Sequence, residues 1–94
     1  MHFVYILFSK KINRFYTGET ARIDIRVDQH KEHYFPTNFT KNANDWQLVF
    51  TYTCLSKEDA IYIERFIKRM KSSSFIKRII KKPEILDDIL SNRN

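Results

Sequence analysis

The chain has 94 residues, 43% of them hydrophobic, so we expect one domain, residues 1–94, built around one core. Seventeen Lys and Arg against eleven Asp and Glu give a net charge of +6, which favours a polyanionic partner, although solubility alone explains such a charge equally simply. A single cysteine excludes an internal disulfide and fits a reducing compartment. Without a signal peptide or a long apolar run, the chain is expected to be cytoplasmic, with no membrane partner.

The first part of the chain predicts a β-hairpin followed by a helix. Residues 3–8 (FVYILF) predict a buried strand, and residues 14–17 predict a shorter one, in a hairpin that ends at Gly18. This only glycine is expected where φ is positive or where another group approaches closely. From Thr20 to about Tyr34 the apolar residues fit either a strand or a helix, and we favour a helix capped by Thr20, because neither Gly nor Pro interrupts it.

The second part predicts one more strand and then helices. Residues 46–53 (WQLVFTYT) predict the third strand, and Ser56 is expected to cap the helix that follows. The predicted apolar face of that helix is formed by Ala60, Ile63, Ile67 and Met70. Further helical segments are predicted over residues 75–81 and 84–90. We write the order as β-β-α-β-α-α, an α+β fold with a small three-stranded antiparallel sheet flanked by helices.

Several polar residues lie where a core would not require them. Antiparallel pairing could bring the phenols of Tyr5 and Tyr16 onto one face of the sheet, although either alone is more simply a core residue with an exposed tip. Arg26 and His30 are one helical turn apart. A guanidinium can bind a phosphate and an imidazole can transfer a proton near neutral pH, but an exposed helix face is the simpler interpretation.

The helix after the third strand carries a carboxylate among basic residues. Glu64 can pair with Lys68 four residues later, or it can hold a hard divalent cation together with water molecules. The basic residues near it and beyond are Lys68, Arg69, Lys71, Lys77, Arg78, Lys81 and Lys82. They form either a surface that contacts phosphates without reading sequence or a solvated helix face.

This ordered series resembles the GIY-YIG nuclease superfamily over nearly the whole chain. Residues 3–5 (FVY) and 16–18 (YTG) resemble the two half-motifs that name the family. Family members carry an Arg on the first helix, a His one turn later and a Glu on the helix after the third strand, and Arg26, His30 and Glu64 match these positions. The chain is most similar to the small stand-alone bacterial members that resemble the nuclease domain of the excision-repair endonuclease.

The chain also departs from the family pattern. Phe3 replaces the first Gly and Thr17 replaces Ile, while Lys31 follows the His where the small members have Asn. Near the C-terminus the small members read Asn-Pro, whereas this chain has Lys82-Pro83. The first two changes affect strand packing, and none removes a residue of the polar series.

The resemblance implies a metal-dependent endonuclease with structure-dependent or low sequence specificity, in DNA repair or nucleic-acid processing. It implies one divalent metal, Mg²⁺ or alternatively Mn²⁺, held by Glu64, and Arg26 on the scissile phosphate. The base is Tyr5, Tyr16 or His30, and a phenol, whose pKa is about 10, would need nearby cationic charge. Expected nucleic-acid-binding residues are Arg22, Lys68, Arg69 and Lys71, and Gly18 is expected to be structural.

The implied substrate is nucleic acid, with DNA favoured over RNA. No separate DNA-reading module is recognisable in the sequence, so a protein partner could supply specificity. The alternative is a non-catalytic nucleic-acid-binding module that retains the fold. A protein-interaction domain is a weaker alternative, since it leaves the polar series unexplained.

Overall fold

The computed structural model of the chain describes residues 1–24, 43 and 45–93. Its sheet has three antiparallel strands, β1 (His2–Ser9), β2 (Arg14–Thr20) and β3 (Gln47–Cys54), in the order β2-β1-β3. The predicted α+β fold with a small antiparallel sheet is therefore confirmed. The predicted end of the hairpin at Gly18 is wrong, because the ladder with β1 continues to Thr20.

Three separate helices follow β3: α1 (Lys57–Met70), α2 (Ser73–Lys81) and α3 (Glu84–Ser91). All three helical segments predicted after the third strand are therefore present, although the predicted order counts only two of them. Ser56 caps α1 as expected, since its Oγ accepts a hydrogen bond from the Asp59 N–H at 3.1 Å. Ser72 caps α2 in the same way, through the Phe75 N–H at 3.1 Å. Each cap starts a new helix, so the polar residues after α1 separate two elements.

One face of the sheet packs against the three helices. The buried residues of this cluster are Val4, Ile6, Cys54, Ala60, Ile63, Ile67, Ile79 and Leu86. Three of the four residues predicted as the apolar face of α1 are among them. The prediction for Met70 is wrong: it is 46% exposed, because it is the last residue of α1, where the chain turns away towards α2.

The opposite face of the sheet carries a second, aromatic cluster. Its buried residues are Tyr5, Leu7, Ala43 and Trp46, with Ile12, Tyr16 and Ile23 partly buried against them. Trp46 belongs to this cluster and precedes the strand that it was predicted to begin. Tyr5 and Tyr16 therefore belong to the face of the sheet opposite the main core, and Tyr16, on the edge strand β2, still lies near Lys68 of α1.

The predicted helix from Thr20 is described only at its beginning. The Thr20 hydroxyl accepts a hydrogen bond from the Arg22 N–H at 3.0 Å, and helical backbone is present at Ile23 and Asp24. Thr20 itself is the last residue of β2, so the helix was predicted to start too early. The rest of the predicted helix lies outside the described residues. None of the helices in the described ranges has the length and apolar character needed to cross a membrane.

Polar contacts hold the turn between β1 and β2. The buried Ser9 hydroxyl donates to Asp45 Oδ1 at 2.5 Å, and the Lys11 N–H donates to Asp45 Oδ2 at 2.9 Å. These two hydrogen bonds, the Ser9 bond first, lower the pKa of the Asp45 carboxyl below its ordinary value. Asn13 closes the turn at φ 54°, a left-handed conformation that asparagine tolerates better than most residues.

Candidate active site

The hairpin brings Tyr5 and Tyr16 onto the same face of the sheet. Tyr5 pairs with Gly18 and Leu7 pairs with Tyr16, so the two tyrosines are diagonal neighbours across β1 and β2. Their ring centroids are 6.3 Å apart and the rings are tilted by 38°. Tyr5 is buried and Tyr16 is half-buried. The predicted juxtaposition of the two phenols is confirmed, and the partly exposed one is Tyr16.

Gly18 makes room for the ring of Tyr5. A Cβ atom at residue 18 would lie 2.5 Å from the Tyr5 hydroxyl oxygen, 2.6 Å from Cζ and 2.9 Å from Cε1. The φ of Gly18 is not positive, so of the two reasons anticipated for this glycine, close approach is the one that applies. The glycine lets the phenol lie against the backbone of the neighbouring strand, and it thereby positions the hydroxyl.

Glu64 lies on α1 and is linked to Tyr16 by one lysine. The Glu64 side chain is 18% exposed, and its Oε2 accepts a hydrogen bond from Lys68 Nζ at 3.2 Å. The same Nζ lies 5.8 Å from the centroid of the Tyr16 ring. Lys68 therefore contacts both the carboxylate of Glu64 and the ring of Tyr16.

The carboxylate of Glu64 suits one kind of metal ion. Within the described part of the chain, no three or more His, Cys, Asp or Glu residues are grouped as a metal cage. A single carboxylate matches Mg²⁺, which keeps several waters and is commonly bound by one or two carboxylates together with substrate phosphates. Glu64 therefore fits such an ion as its protein ligand, in exchange for the bond to Lys68.

A groove lies beside these residues. It has a volume of about 580 Å³ and is bounded by residues 13–17, on the turn and the edge strand β2, and by the junction of α1 with α2. Its cations are Arg14, Lys68, Lys71 and Lys77. We call it the basic groove. Because Tyr16 and Lys68 line it as well, the groove opens directly onto the candidate site.

The other predicted basic residues are distributed differently. Arg69 lies over the ring of Phe66, with its guanidinium carbon 5.9 Å from the ring centroid, and it does not line the basic groove. Arg22 is exposed at the end of β2, 3.9 Å from Asp24. Of the four predicted nucleic-acid-binding residues, the structure thus brings Lys68 and Lys71 together at the candidate site.

Arg26 and His30 lie outside the described residues. The segment that leads to them starts on the tyrosine side of the sheet, because Ile23 packs against the cluster of Tyr5 and Trp46. Sequence reasoning overlooked Arg14 as a site residue. It was interpreted only as the start of a strand, and no local pattern connects it with the lysines of α1 and α2.

Comparisons with known proteins identify the family of the chain. Residues 1–78 match the GIY-YIG catalytic domain, and the chain belongs to this family. The structure is similar to the solution NMR structure of the UPF0213 protein BH0048 from Bacillus halodurans, with a TM-score of 0.53 and 30% sequence identity over 85% of this chain and 82% of that one. No curated protein matches the chain. Family membership defines a nuclease, a hydrolase whose substrate is nucleic acid.

Proposed function

We propose that this chain, acting as one domain over residues 1–94, is a divalent-metal-dependent endonuclease that cuts nucleic-acid phosphodiesters with little sequence preference. The observation that carries the proposal is the series of contacts from Tyr5 to Tyr16, Lys68 and Glu64, beside an open basic groove. A phosphodiester hydrolase needs an activated water, neutralisation of charge on the phosphoryl oxygens and support for the leaving oxygen.

In this proposal Glu64 holds the metal, Mg²⁺ or alternatively Mn²⁺. The ion supplies Lewis-acid stabilisation of the phosphoryl group when it is bound. Lys68, which the ion would displace from Glu64, would remain beside the Tyr16 ring and could contact the phosphate. As the base, Tyr16 would pass its own proton to solvent, and its phenol oxygen would then accept a proton from the attacking water.

The remaining roles follow from the family resemblance. Arg26 is proposed to clamp the scissile phosphate through its planar guanidinium. His30 competes with Tyr16 and Tyr5 for the part of general base, and all three are retained as candidates. Tyr5 is positioned against Gly18 and is buried, whereas Tyr16 lines the basic groove and can reach a bound strand directly.

The proposed substrate is DNA in preference to RNA, in repair or nucleic-acid processing, with a protein partner able to add specificity. Groove cations such as Lys71 can contact phosphates, which carry no sequence information, so selection by substrate structure is favoured over selection by sequence. We place the activity in the cytoplasm, which the single, buried Cys54 supports.

One observation favours the alternative, a binding module without catalysis. Glu64 already has a cationic partner in Lys68, so the carboxylate is neutralised without a metal ion. A domain that only binds nucleic acid would keep this ion pair and the basic groove. The two functions predict different results for loss of the Glu64 charge. In a nuclease this loss abolishes cleavage, whereas in a binding module, which does not cleave, it leaves binding intact.

The test is cleavage of labelled single-stranded, duplex and branched DNA and RNA in Mg²⁺, Mn²⁺ or EDTA. Wild type is compared with Glu64→Gln and with Glu58→Gln, which removes the same charge from an exposed position on the same helix. We expect metal-dependent cleavage that Glu64→Gln lowers by about two to three orders of magnitude and Glu58→Gln leaves unchanged. Cleavage by Glu64→Gln at the wild-type rate would refute the proposal. Absence of wild-type cleavage, with equal binding by all three proteins in EDTA, would establish the binding module.

A further inference from the structure

We infer that the basic groove binds the phosphate backbone of a single nucleic-acid strand immediately beside the scissile phosphate. The inference rests on the proposed function, because it assigns a place to the flanking part of the same substrate. The groove is continuous with the candidate site through Tyr16 and Lys68. A strand whose scissile phosphate lies near Glu64 can therefore extend along the groove.

The charge of the groove is not balanced by acidic residues in the described part of the chain. Arg14, Lys71 and Lys77 form no ion pair with any other residue in the described ranges, and no acidic residue lines the groove there. Elsewhere the basic side chain of Arg93 is paired with Asp59. Three uncompensated cations around one concave surface attract an anion with regularly spaced charges, such as a phosphate backbone.

The backbone at Lys71 supports the same conclusion. Lys71 has φ 47°, the left-handed conformation at a helix end, where glycine is the usual residue. Its N–H donates to the Lys68 carbonyl at 3.3 Å, a backbone contact that glycine would also make. Glycine would therefore suit this backbone conformation better, and lysine adopts it at a conformational cost. Its place in the groove gives that side chain a use.

The groove has the size of a small binding site, and its lining suits one strand of nucleic acid. A volume of about 580 Å³ falls within the range of small ligand sites, roughly 300 to 1,000 Å³. The partly exposed apolar side chains of Phe15 and Ile76 lie among the cations and can contact sugars or bases while lysines contact phosphates. Ser73, the first residue of α2, lies in the groove too, and a helix N-terminus adds positive potential there.

The first test separates binding from folding. Lys71→Gly relieves the left-handed conformation, so its thermal midpoint should rise, yet it loses one phosphate contact. Affinity for a fluorescein-labelled single-stranded DNA, measured by anisotropy in EDTA, should fall about fivefold at about 0.1 M salt and only about twofold at about 0.3 M. Asn13→Gly, at φ 54°, relieves the same conformation without removing a charge and is the matched control for stability. Its thermal midpoint should rise as well.

The second test counts the contacts. Lys71→Gly combined with Lys77→Ala should weaken binding about 25-fold at about 0.1 M salt and lower the slope of log affinity against log salt by about 1.4. Lys81→Ala, an exposed lysine on the same helix outside the groove, should change neither quantity appreciably. Unchanged affinity in the double variant, or an equal loss in Lys81→Ala, would overturn the inference. Because binding is measured in EDTA, this result is independent of whether Glu64 supports cleavage.

Discussion

Replacement of Gly18 by alanine should destabilise the protein through a single contact, that between the new methyl group and the ring of Tyr5. The added Cβ would lie 2.5 to 2.9 Å from three ring and hydroxyl atoms of Tyr5. The ring cannot move aside freely, because Tyr5 is 1% exposed and packs with Leu7 and Trp46. Alanine must therefore displace a packed aromatic ring.

The size of the effect follows from two opposing contributions. Overpacking of a core typically costs about 1 to 3 kcal/mol. Because the φ of Gly18 is one that alanine can adopt, the substitution also gains about 0.4 to 1 kcal/mol by reducing the freedom of the unfolded chain. We expect a net loss of up to about 2.6 kcal/mol, with about 1.3 kcal/mol at the middle of both ranges. We also expect slower cleavage, by up to about a hundredfold, because the phenol is misplaced.

The assay is urea unfolding followed by the fluorescence of Trp46, the only tryptophan, in four proteins that form a double-mutant cycle. In a Tyr5→Leu background the side chain has no atoms at the Cε1, Cζ and hydroxyl positions. There the same Gly18→Ala change should become neutral or stabilising by about 0.4 to 1 kcal/mol. Equal effects in both backgrounds, or a stabilised Gly18→Ala single variant, would refute the packing explanation.

Two further predictions concern titratable groups outside the candidate site. The folded pKa of Asp45 is lowered by its bonds to Ser9 and Lys11, so its stabilising effect is complete above the unfolded value of about 3.9 and is lost as the pH falls through the lower folded value. The urea midpoint of wild type should exceed that of Asp45→Asn at pH 6, and the difference should shrink towards pH 3. Burial raises the pKa of the Cys54 thiol to about 11. About one thiol in a thousand is then ionised at pH 8, so an aromatic disulfide reagent should react slowly with the folded protein and rapidly in urea; equal rates would contradict the burial of this thiol.

A hydrogen bond between residues far apart along the chain holds α3 against the sheet. The Tyr52 hydroxyl on β3 bonds to the Asp87 carboxylate on α3, and burial, followed by this bond, raises the pKa of the phenol well above its ordinary value. Because the tyrosine must stay protonated to make the bond, α3 should remain attached to the sheet throughout the neutral range. No local sequence signal relates these two residues.

Local chemistry accounts for most of what could be predicted. The strand patterns, the cap at Ser56 and the pairing of Glu64 with Lys68 depend on residues within a few positions of one another. The phenol pair was also predictable, since a short turn leaves little freedom in how β1 and β2 align. The prediction that Met70 is buried was wrong, because helical periodicity indicates which face of a helix is apolar but not where the core ends.

The sequence by itself determined the α+β class, the family resemblance and the ordered polar series, because these are patterns of residue type and spacing. Only the tertiary structure decided why Gly18 is required and which cations converge. The ring of Tyr5 fills the space above that glycine, and Arg14 meets Lys71 and Lys77 across the basic groove. These contacts join residues far apart along the chain. They exist because the junction of α1 with α2 packs beside the edge strand, which no local pattern specifies.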